Sequence, residues 1–354
     1  ILDVAGRRVE RLAYVHNALK RIMSGGMRER VLHVARGILP GSVARRLRRH
    51  GQSVRSAPQR RRSGDESHNV LLVSNCATPV YAKVLERLCP TIRVTAYDDR
   101  SAMANHAQFL KDCAANDSLI LSPLRRDAAV KDGIDETKII LLPPFYFTGY
   151  HPDTVYLAKP DKTSVTTRFG AYHSSICYLS HQAGLGIADT VSLYTEEVYR
   201  ELDFFSAWQT GRDNLLNAFS DAGIPIDPMF RRWARQGCFM HTVNHPHSHV
   251  LGDIGRLVAA KLPVERRDVG LPVTDPLANG PSFPCYPEIA EANGAWGSYY
   301  FKPAQIDELM TLTEFVTMCF ETYSAFPKGA LILRNWSQRK TRAFEACISG
   351  RFGG

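Results

Sequence analysis

A cysteine follows the most strand-like apolar segment of this sequence, and it is the first residue that could do chemistry. Residues 70–73 read Val-Leu-Leu-Val, which is typical of a strand buried on both faces of a parallel sheet, and Ser74, Asn75 and Cys76 follow directly. Ligands of open α/β sheets bind outside the carboxyl ends of the strands. A helix predicted over 79–88 would place the Cys76 thiol near a helix N-terminus, where the partial positive charge favours a thiolate. We therefore expect Cys76 to be functional; the alternative is a small residue that fits a tight turn.

Two further strand ends are predicted to meet at the same edge of the sheet. Residues 122–126 follow the third predicted strand, and residues 146–153 follow the fourth. The second of these segments is dense in aromatic and polar side chains, and its His151 could act as a base or as a hydrogen-bond donor. The alternative is a turn that only caps the next element.

A second dense cluster holds four histidines between His241 and His249. The spacing does not match the H-E-x-x-H pattern of zinc enzymes, so we expect no metal site. Pro246 would suit the first turn of the helix that follows, and this places Asn244 or His245 at a helix N-terminus. Such a position favours a phosphate or a developing oxyanion. We expect one or two of these histidines to face the active site.

The elements that must position these residues fall into two halves. Strands alternate with helices in the first half, which predicts a parallel sheet with flanking helices. The predicted strands are 70–73, 92–96, 118–121 and 139–142, and the predicted helices are 79–88 and 102–113. After His151 the pattern is helical, with no further strand expected, over 167–183, 188–202, 212–222, 249–262 and 305–323. The fold class is therefore α/β with a mainly helical C-terminal half.

Charge separates an N-terminal segment from the rest of the 354-residue chain, whose net charge is +9. Residues 1–65 hold 16 Lys and Arg against 4 Asp and Glu, and the remainder holds 28 against 31. We predict a basic helical arm at 1–50, a flexible linker at 51–67 and a catalytic domain at 68–347, with its sheet core at 68–153 and its helical part at 154–347. The arm is either a solvated extension or a contact to an anionic membrane surface. The nearly neutral body indicates no specific binding of nucleic acid.

Several classes of protein lose their support on composition. No apolar run is long enough to span a membrane and no secretory signal pattern is present, so we expect a cytoplasmic protein, or one peripheral to the inner membrane through its arm. The eight cysteines form no C-x-x-C pair, which indicates reduced and mostly buried thiols. Glycine-rich dinucleotide and P-loop patterns are missing from the sequence, which disfavours nicotinamide, flavin and nucleoside triphosphate chemistry.

Three separate blocks resemble the WcbI-type polysaccharide biosynthesis family of bacterial capsule clusters. They are residues 70–76, 146–153 and 237–246, and the resemblance extends over roughly residues 68–325. The family pattern looks like G-N-C-Q at the first block. In this sequence Ser74 replaces the glycine and Ala77 replaces the glutamine.

The resemblance implies a fold related to SGNH hydrolases, binding of coenzyme A or acetyl-CoA as acyl donor, and O-acetyl transfer to a capsular or exopolysaccharide sugar or its precursor. A saccharide is then the acceptor, and no metal is expected. We assign catalytic roles to Cys76 as the group that meets the thioester, to Asn75 as an oxyanion donor, and to His245 as the base with His151 as second choice. The residues assigned to the cofactor are Tyr150, Asn244, Arg125, Arg126 and Arg168.

Other functions stay open at this point. An acyl esterase on the same scaffold would use the same nucleophile, base and oxyanion hole, so sequence does not separate hydrolysis from transfer. A non-catalytic binding module of a glycan-assembly complex is a second alternative, with the basic arm as its docking element. A glycosyltransferase has less support, because the body contains no D-x-D motif.

Overall fold

The structure is a computed structural model that describes residues 67–352 apart from 272–273 and 307. The chain divides after Gly64 into two units, and the described residues belong to the second, Asp65–Gly354. The predicted arm and all but one residue of the predicted linker lie outside the described residues, and both stay predictions.

The predicted parallel sheet is confirmed, and its strands are β1 (His68–Ser74), β2 (Ile92–Asp98), β3 (Ser118–Leu121) and β4 (Ile139–Leu141). They lie in the order β2-β1-β3-β4, and each neighbouring pair is parallel. In the central β1, Val70 and Leu72 pack into the larger hydrophobic core, whereas Leu71 and Val73 pack into a smaller one. Burial on both faces explains why this strand reads as an unbroken apolar run.

Helices cover both faces of this sheet. They are α1 (Thr78–Leu88), α2 (Asp99–Ala104), α3 (His106–Ala115) and α4 (Pro123–Lys131). The single helix predicted over 102–113 is wrong, because Asn105 leaves the helical conformation with φ −133° and ψ 69°. Its side chain accepts a hydrogen bond from Gln108 N at 3.2 Å and so caps a new helix.

The C-terminal half is mainly helical, as predicted. Its helices are α5 (Ser175–Ala183), α6 (Ile187–Ser192), α7 (Glu196–Glu201), α8 (Ala207–Asp221), α9 (Asp227–Arg235), α10 (Ser248–Ala259), α11 (Pro287–Ala292), α12 (Leu312–Ser324) and α13 (Gln338–Phe352). The helix predicted over 188–202 is split in two. The one predicted from residue 305 begins only at Leu312, where Thr311 and Glu314 form a capping box. No helix within the described residues is both long and apolar enough to cross a bilayer.

The expectation of no further strands is wrong. β5 (Thr154–Ala158), β6 (Tyr172–Ser174) and β9 (Ile332–Arg334) form an antiparallel sheet in the order β6-β5-β9, and β7 (Met240–Thr242) pairs with β8 (His245–Pro246) in a hairpin. The helix predicted from residue 167 therefore starts only after β6. Strands of two to five residues carry too short a pattern to be recognised, and β9 joins the sheet from near the end of the chain.

The segment after β4 ties the two halves together. Phe145 and Phe147 are buried among aromatic rings, while Tyr146 between them is 38% exposed. Phe147 N donates a hydrogen bond to Val243 O at 2.7 Å. This contact holds the β7–β8 hairpin, with Asn244 and His245, beside the chain that leaves the carboxyl end of the parallel sheet.

Candidate active site

The turn between β1 and α1 presents Cys76. Asn75 Oδ1 accepts a hydrogen bond from Ala77 N at 3.0 Å, and Thr78 Oγ1 donates to Asn75 O at 2.7 Å. These two bonds fix the backbone of the turn and leave the thiol exposed. Because Asn75 uses its carbonyl oxygen in the turn, only its side-chain NH₂ group is left to donate to a ligand.

Cys76 differs from the other cysteines, all eight of which lie within the described residues. It is the exposed one, and the others are buried or half-buried. Burial raises the pKa of Cys113 to about 11 and that of Cys238 to about 12, so those thiols carry almost no thiolate at neutral pH. Accessibility therefore selects Cys76 as the candidate nucleophile.

A tyrosine, an asparagine and a histidine form a hydrogen-bonded cluster at the β7–β8 hairpin. Tyr172, the first residue of β6, lies with its hydroxyl 2.6 Å from Asn244 Oδ1 and 3.3 Å from His245 Nε2. Burial lowers the pKa of His245 to about 4, with a smaller contribution from His241. The imidazole is therefore neutral at pH 7 and can accept a proton.

The thiol belongs to the same neighbourhood as this cluster. Burial raises the pKa of Tyr172 to about 12, and negative charge on Cys76 contributes to the rise. Burial raises the pKa of Tyr156, and Cys76 adds to this rise. The positive charge of Arg100 opposes the rise. The rings of Tyr156 and Tyr172 are 5.7 Å apart. The structure thus brings together a thiol, two phenols, a neutral imidazole and a cation.

Three members of this set were missed by the sequence analysis. Tyr172 was assigned to a helix, and no local pattern marks it as functional. Tyr156 belongs to an unpredicted strand. Arg100 carried a usable signal, because it comes two residues after Asp98, the last residue of β2. Ligands bind at the carboxyl ends of such strands, so β2 also marks candidate site residues.

Two predicted site residues are buried away from this cluster, and each has a polar atom bonded to a backbone carbonyl. His151 is fully buried, and its Nε2 hydrogen-bonds Phe283 O at 3.0 Å. Burial lowers the pKa of His151 to about 3, so it is a neutral core histidine. Tyr150 is also buried and donates its hydroxyl to Gly237 O at 2.8 Å. The structure gives neither residue access to a ligand.

The three predicted arginines differ in their availability. Arg125 is buried, with its Nε 3.6 Å from Asp99 Oδ1, and Arg126 forms ion pairs with Asp127 and Glu136. Arg168 is exposed, and its carbonyl accepts a hydrogen bond from Ala304 N at 3.0 Å. Arg168 is therefore the one of the three whose charge is free to meet an anion.

The other histidines of the cluster form a separate polar network. His241 Nε2 lies 3.1 Å from Asp275 Oδ2, and the rings of His241 and His247 are 4.3 Å apart. Partial burial opposes ionisation of Asp275, but hydrogen bonds from His241 and Ser248 N lower its pKa to about 2. In the part of the chain that the structure describes, no group of three or more His, Cys, Asp or Glu side chains is arranged to hold a metal ion.

Comparison with known proteins places this arrangement in a family. A solved structure of WcbI, described as a novel polysaccharide biosynthesis enzyme and as a native protein without a disulfide bond between CoA and one of its cysteines, shares the fold with a TM-score of 0.55. The two chains are 13% identical, and the match covers 81% of this chain and 96% of that one. Among curated proteins, none matches this chain significantly in sequence. The sequence profile of the family described as polysaccharide biosynthesis enzyme WcbI matches residues 69–267, and the chain belongs to this family.

Proposed function

We propose that this chain is a CoA-dependent acyltransferase that transfers an acetyl group to a hydroxyl of a saccharide. The observation that carries the proposal is the exposed Cys76 thiol after the carboxyl end of β1, whose charge acts on Tyr172, the phenol that contacts His245. A thiol and a neutral imidazole are the groups that covalent acyl transfer by a cysteine uses.

Support for CoA as the acyl donor comes from the relative, whose description names CoA together with a cysteine. Bound acetyl-CoA would supply an acyl group already activated as a thioester. Its phosphates need cations, and Arg125 and Arg126 do not fit that need because acidic side chains already engage them. Arg100 and Arg168 are exposed, and we assign the phosphate contacts to them.

In the proposed first half-reaction, Cys76 gives up its proton and attacks the acyl carbonyl carbon. The Tyr172 hydroxyl, which donates to Asn244 Oδ1 in this structure, takes the thiol proton on its oxygen and turns its own proton to His245 Nε2, which is 3.3 Å away. The thioester C–S bond of the donor breaks as the acyl–Cys76 bond forms. The proton held by His245 then returns through Tyr172 to the departing CoA sulfur, and the protein carries one acyl group.

In the second half-reaction the same groups act on the acceptor. A sugar hydroxyl loses its proton through Tyr172 to His245 and attacks the acyl carbon on Cys76. The new ester bond forms, the C–S bond to Cys76 breaks, and the proton passes to the Cys76 sulfur. The Asn75 side-chain NH₂ and the Cys76 backbone N–H would stabilise the oxyanion of each step, at about 3 kcal/mol for each donor, whereas Ala77 N and Thr78 N are already bonded to Asn75.

Mass spectrometry tests this proposal directly. After incubation with acetyl-CoA, the intact protein should gain one acetyl group, and peptide mapping should locate it on Cys76. The Cys347→Ser variant, at a half-buried thiol of α13, should still be acetylated and is the matched control. An unmodified wild-type protein that still transfers acetyl groups to a saccharide would instead show direct transfer. A protein that releases only acetate would be an esterase.

A further inference from the structure

A polar cavity of about 460 Å³ is lined by residues of three parts of the chain, which are 146–154, 203–210 and 335–340. This volume lies within the range of roughly 300–1,000 Å³ that small-molecule sites occupy. Tyr146 and Trp336 supply aromatic surface, Asp203 and Lys340 supply charge, and Thr154 and Asn335 supply hydrogen-bonding groups.

The cavity and the candidate active site share one face of the antiparallel sheet. Thr154 and Tyr156 lie two residues apart on β5, so their side chains point to the same face. Thr154 lines the cavity, and the Tyr156 ring is 5.7 Å from that of Tyr172, whose hydroxyl contacts His245. A ligand in the cavity would therefore lie beside the groups that handle the acyl transfer.

Two polar atoms on the residues that line the cavity lack a hydrogen-bond partner within the described residues. They are Thr154 Oγ1 and Trp336 Nε1, and both are buried. Buried polar groups are normally satisfied, and an orphan at a site points to a missing partner. A hydroxyl-rich ligand would satisfy both, because a hydroxyl can accept from the indole N–H and donate to the threonine oxygen.

The charges indicate a ligand with a single anionic group. Lys340 Nζ lies 5.3 Å from the centroids of both the Trp336 and the Phe204 rings, and burial lowers the pKa of Lys340. Asp203 is already paired with Arg339 at 2.8 Å, so it does not fully neutralise Lys340. One anionic group of a ligand would balance the remaining positive charge of Lys340. Coenzyme A, with three phosphate groups, would bring more negative charge than one lysine beside an aspartate can balance.

We propose that this cavity holds the acceptor as a saccharide unit that carries one carboxylate or phosphate, with its ring against Trp336 or Tyr146 and its anion on Lys340. The apolar face of a sugar ring can stack on either aromatic side chain. The two orphan polar atoms would bind hydroxyls of the sugar ring. The inference deepens the proposed acyltransferase function and rests on it.

Binding of three small sugars tests the assignment: glucuronate, glucose 1-phosphate and glucose. The first two should bind more tightly than glucose by about tenfold, because a charge-assisted contact to Lys340 is added. Tryptophan fluorescence and saturation-transfer NMR would measure the dissociation constants. Preference for glucuronate over glucose 1-phosphate, or the reverse, identifies which anion the acceptor carries.

Variants then locate the binding. Lys340→Met keeps the apolar stem against Phe204 and removes the charge, so it should fold and lose the preference for anionic sugars. Trp336→Phe keeps the stacking surface and removes the orphan N–H. It should therefore weaken the binding of all three sugars equally. Lys111→Met, at an exposed lysine of α3 that does not line the cavity, is the control.

Thermal stabilisation by CoA, measured on the same variants, separates this inference from the proposed function. Retained stabilisation with lost sugar binding supports the cavity as the acceptor site. The inference is wrong if Lys340→Met and Trp336→Phe abolish the thermal stabilisation by CoA and leave sugar binding unchanged. The cavity would then belong to the acyl donor. Absence of binding for all three sugars to the wild-type protein also overturns it. Glucuronate binding by a protein with no CoA response would support the cavity assignment and overturn the acyltransferase.

Discussion

The parallel and antiparallel sheets contribute to the site in different ways. The two central strands of the parallel sheet, β1 and β3, bury apolar side chains on both faces, and Cys76 follows the end of β1. The antiparallel sheet carries polar and aromatic side chains on one face, including Tyr172 and Tyr156. Under the proposed function, the first sheet positions the nucleophile, whereas the second supplies groups that would move protons and bind substrate. Substitutions in the two sheets should therefore differ both in the step that they affect and in the size of the effect.

The largest effect is expected at the end of the parallel sheet. Cys76→Ala should lower the rate of acyl transfer by about 10³-fold or more, because the acyl-accepting atom is removed. Steady-state release of CoA in the presence of a saccharide acceptor would measure it. Cys76→Ser should be nearly as slow under the covalent route, since a hydroxyl is hardly ionised at neutral pH. A serine variant with most of the wild-type rate would favour direct transfer.

The next effect compares half-buried His245 with buried His151. His245→Ala should lower kcat by roughly 10²- to 10⁴-fold, the usual contribution of a general base, with CoA affinity largely retained. His151→Ala should instead lower the melting temperature and leave kcat nearly unchanged, since its Nε2 is bonded to the Phe283 carbonyl. A kcat loss at His151 as large as that at His245 would reverse the two assignments.

A smaller effect is expected at the phenol between thiol and imidazole. Tyr172→Phe keeps the ring contacts and removes the hydroxyl, so kcat should fall by roughly tenfold to a hundredfold while the fold is retained. Tyr178→Phe is the matched control, because its hydroxyl bonds the Leu331 carbonyl at 2.8 Å outside the cluster. Equal kcat values for the two variants would remove Tyr172 from the proton route.

The smallest effect concerns stability. Burial lowers the pKa values of His173 and His245 to about 4, below the value of about 6.5 in an unfolded chain. The unfolded state then takes up protons that the folded state does not, so stability present above about pH 6.5 is lost as the pH falls towards 4. At pH 5.5 the loss should be about 1 kcal/mol for fully buried His173. Urea unfolding of wild type and His173→Gln would measure it, with exposed His106→Gln as control. A wild-type unfolding free energy that does not change between pH 7.5 and 5.5 would contradict the prediction.

The sequence predicts the parallel sheet and the position of Cys76 at a strand end because both depend on local pattern. Four buried residues in a row identify β1, and the position after the strand fixes where Cys76 lies. Tyr172 could not be predicted in this way. It reaches the site because β6 pairs with β5, and its hydroxyl function depends on Asn244, which lies far along the chain.

The two candidate bases also show what sequence alone does not reveal. His151 and His245 are equivalent as residue types, and both follow aromatic or polar segments that suit an active site. What separates them is the partner of Nε2, which is a backbone carbonyl for His151 and the Tyr172 hydroxyl for His245. Such a partner is set by packing between distant segments, so composition and spacing do not reveal it.

The pairing of β5 with β9 has a consequence for the order of folding. Tyr156 lies opposite Arg334, so the central strand of the antiparallel sheet gains its second neighbour only after the chain has been synthesised beyond residue 334. The parallel sheet needs nothing beyond β4 and can form while the ribosome is still at work. A nascent chain that stops before Ile332 would carry β5 with an open edge, which is a template for aggregation. The antiparallel sheet that carries Tyr156 is therefore completed after the parallel sheet.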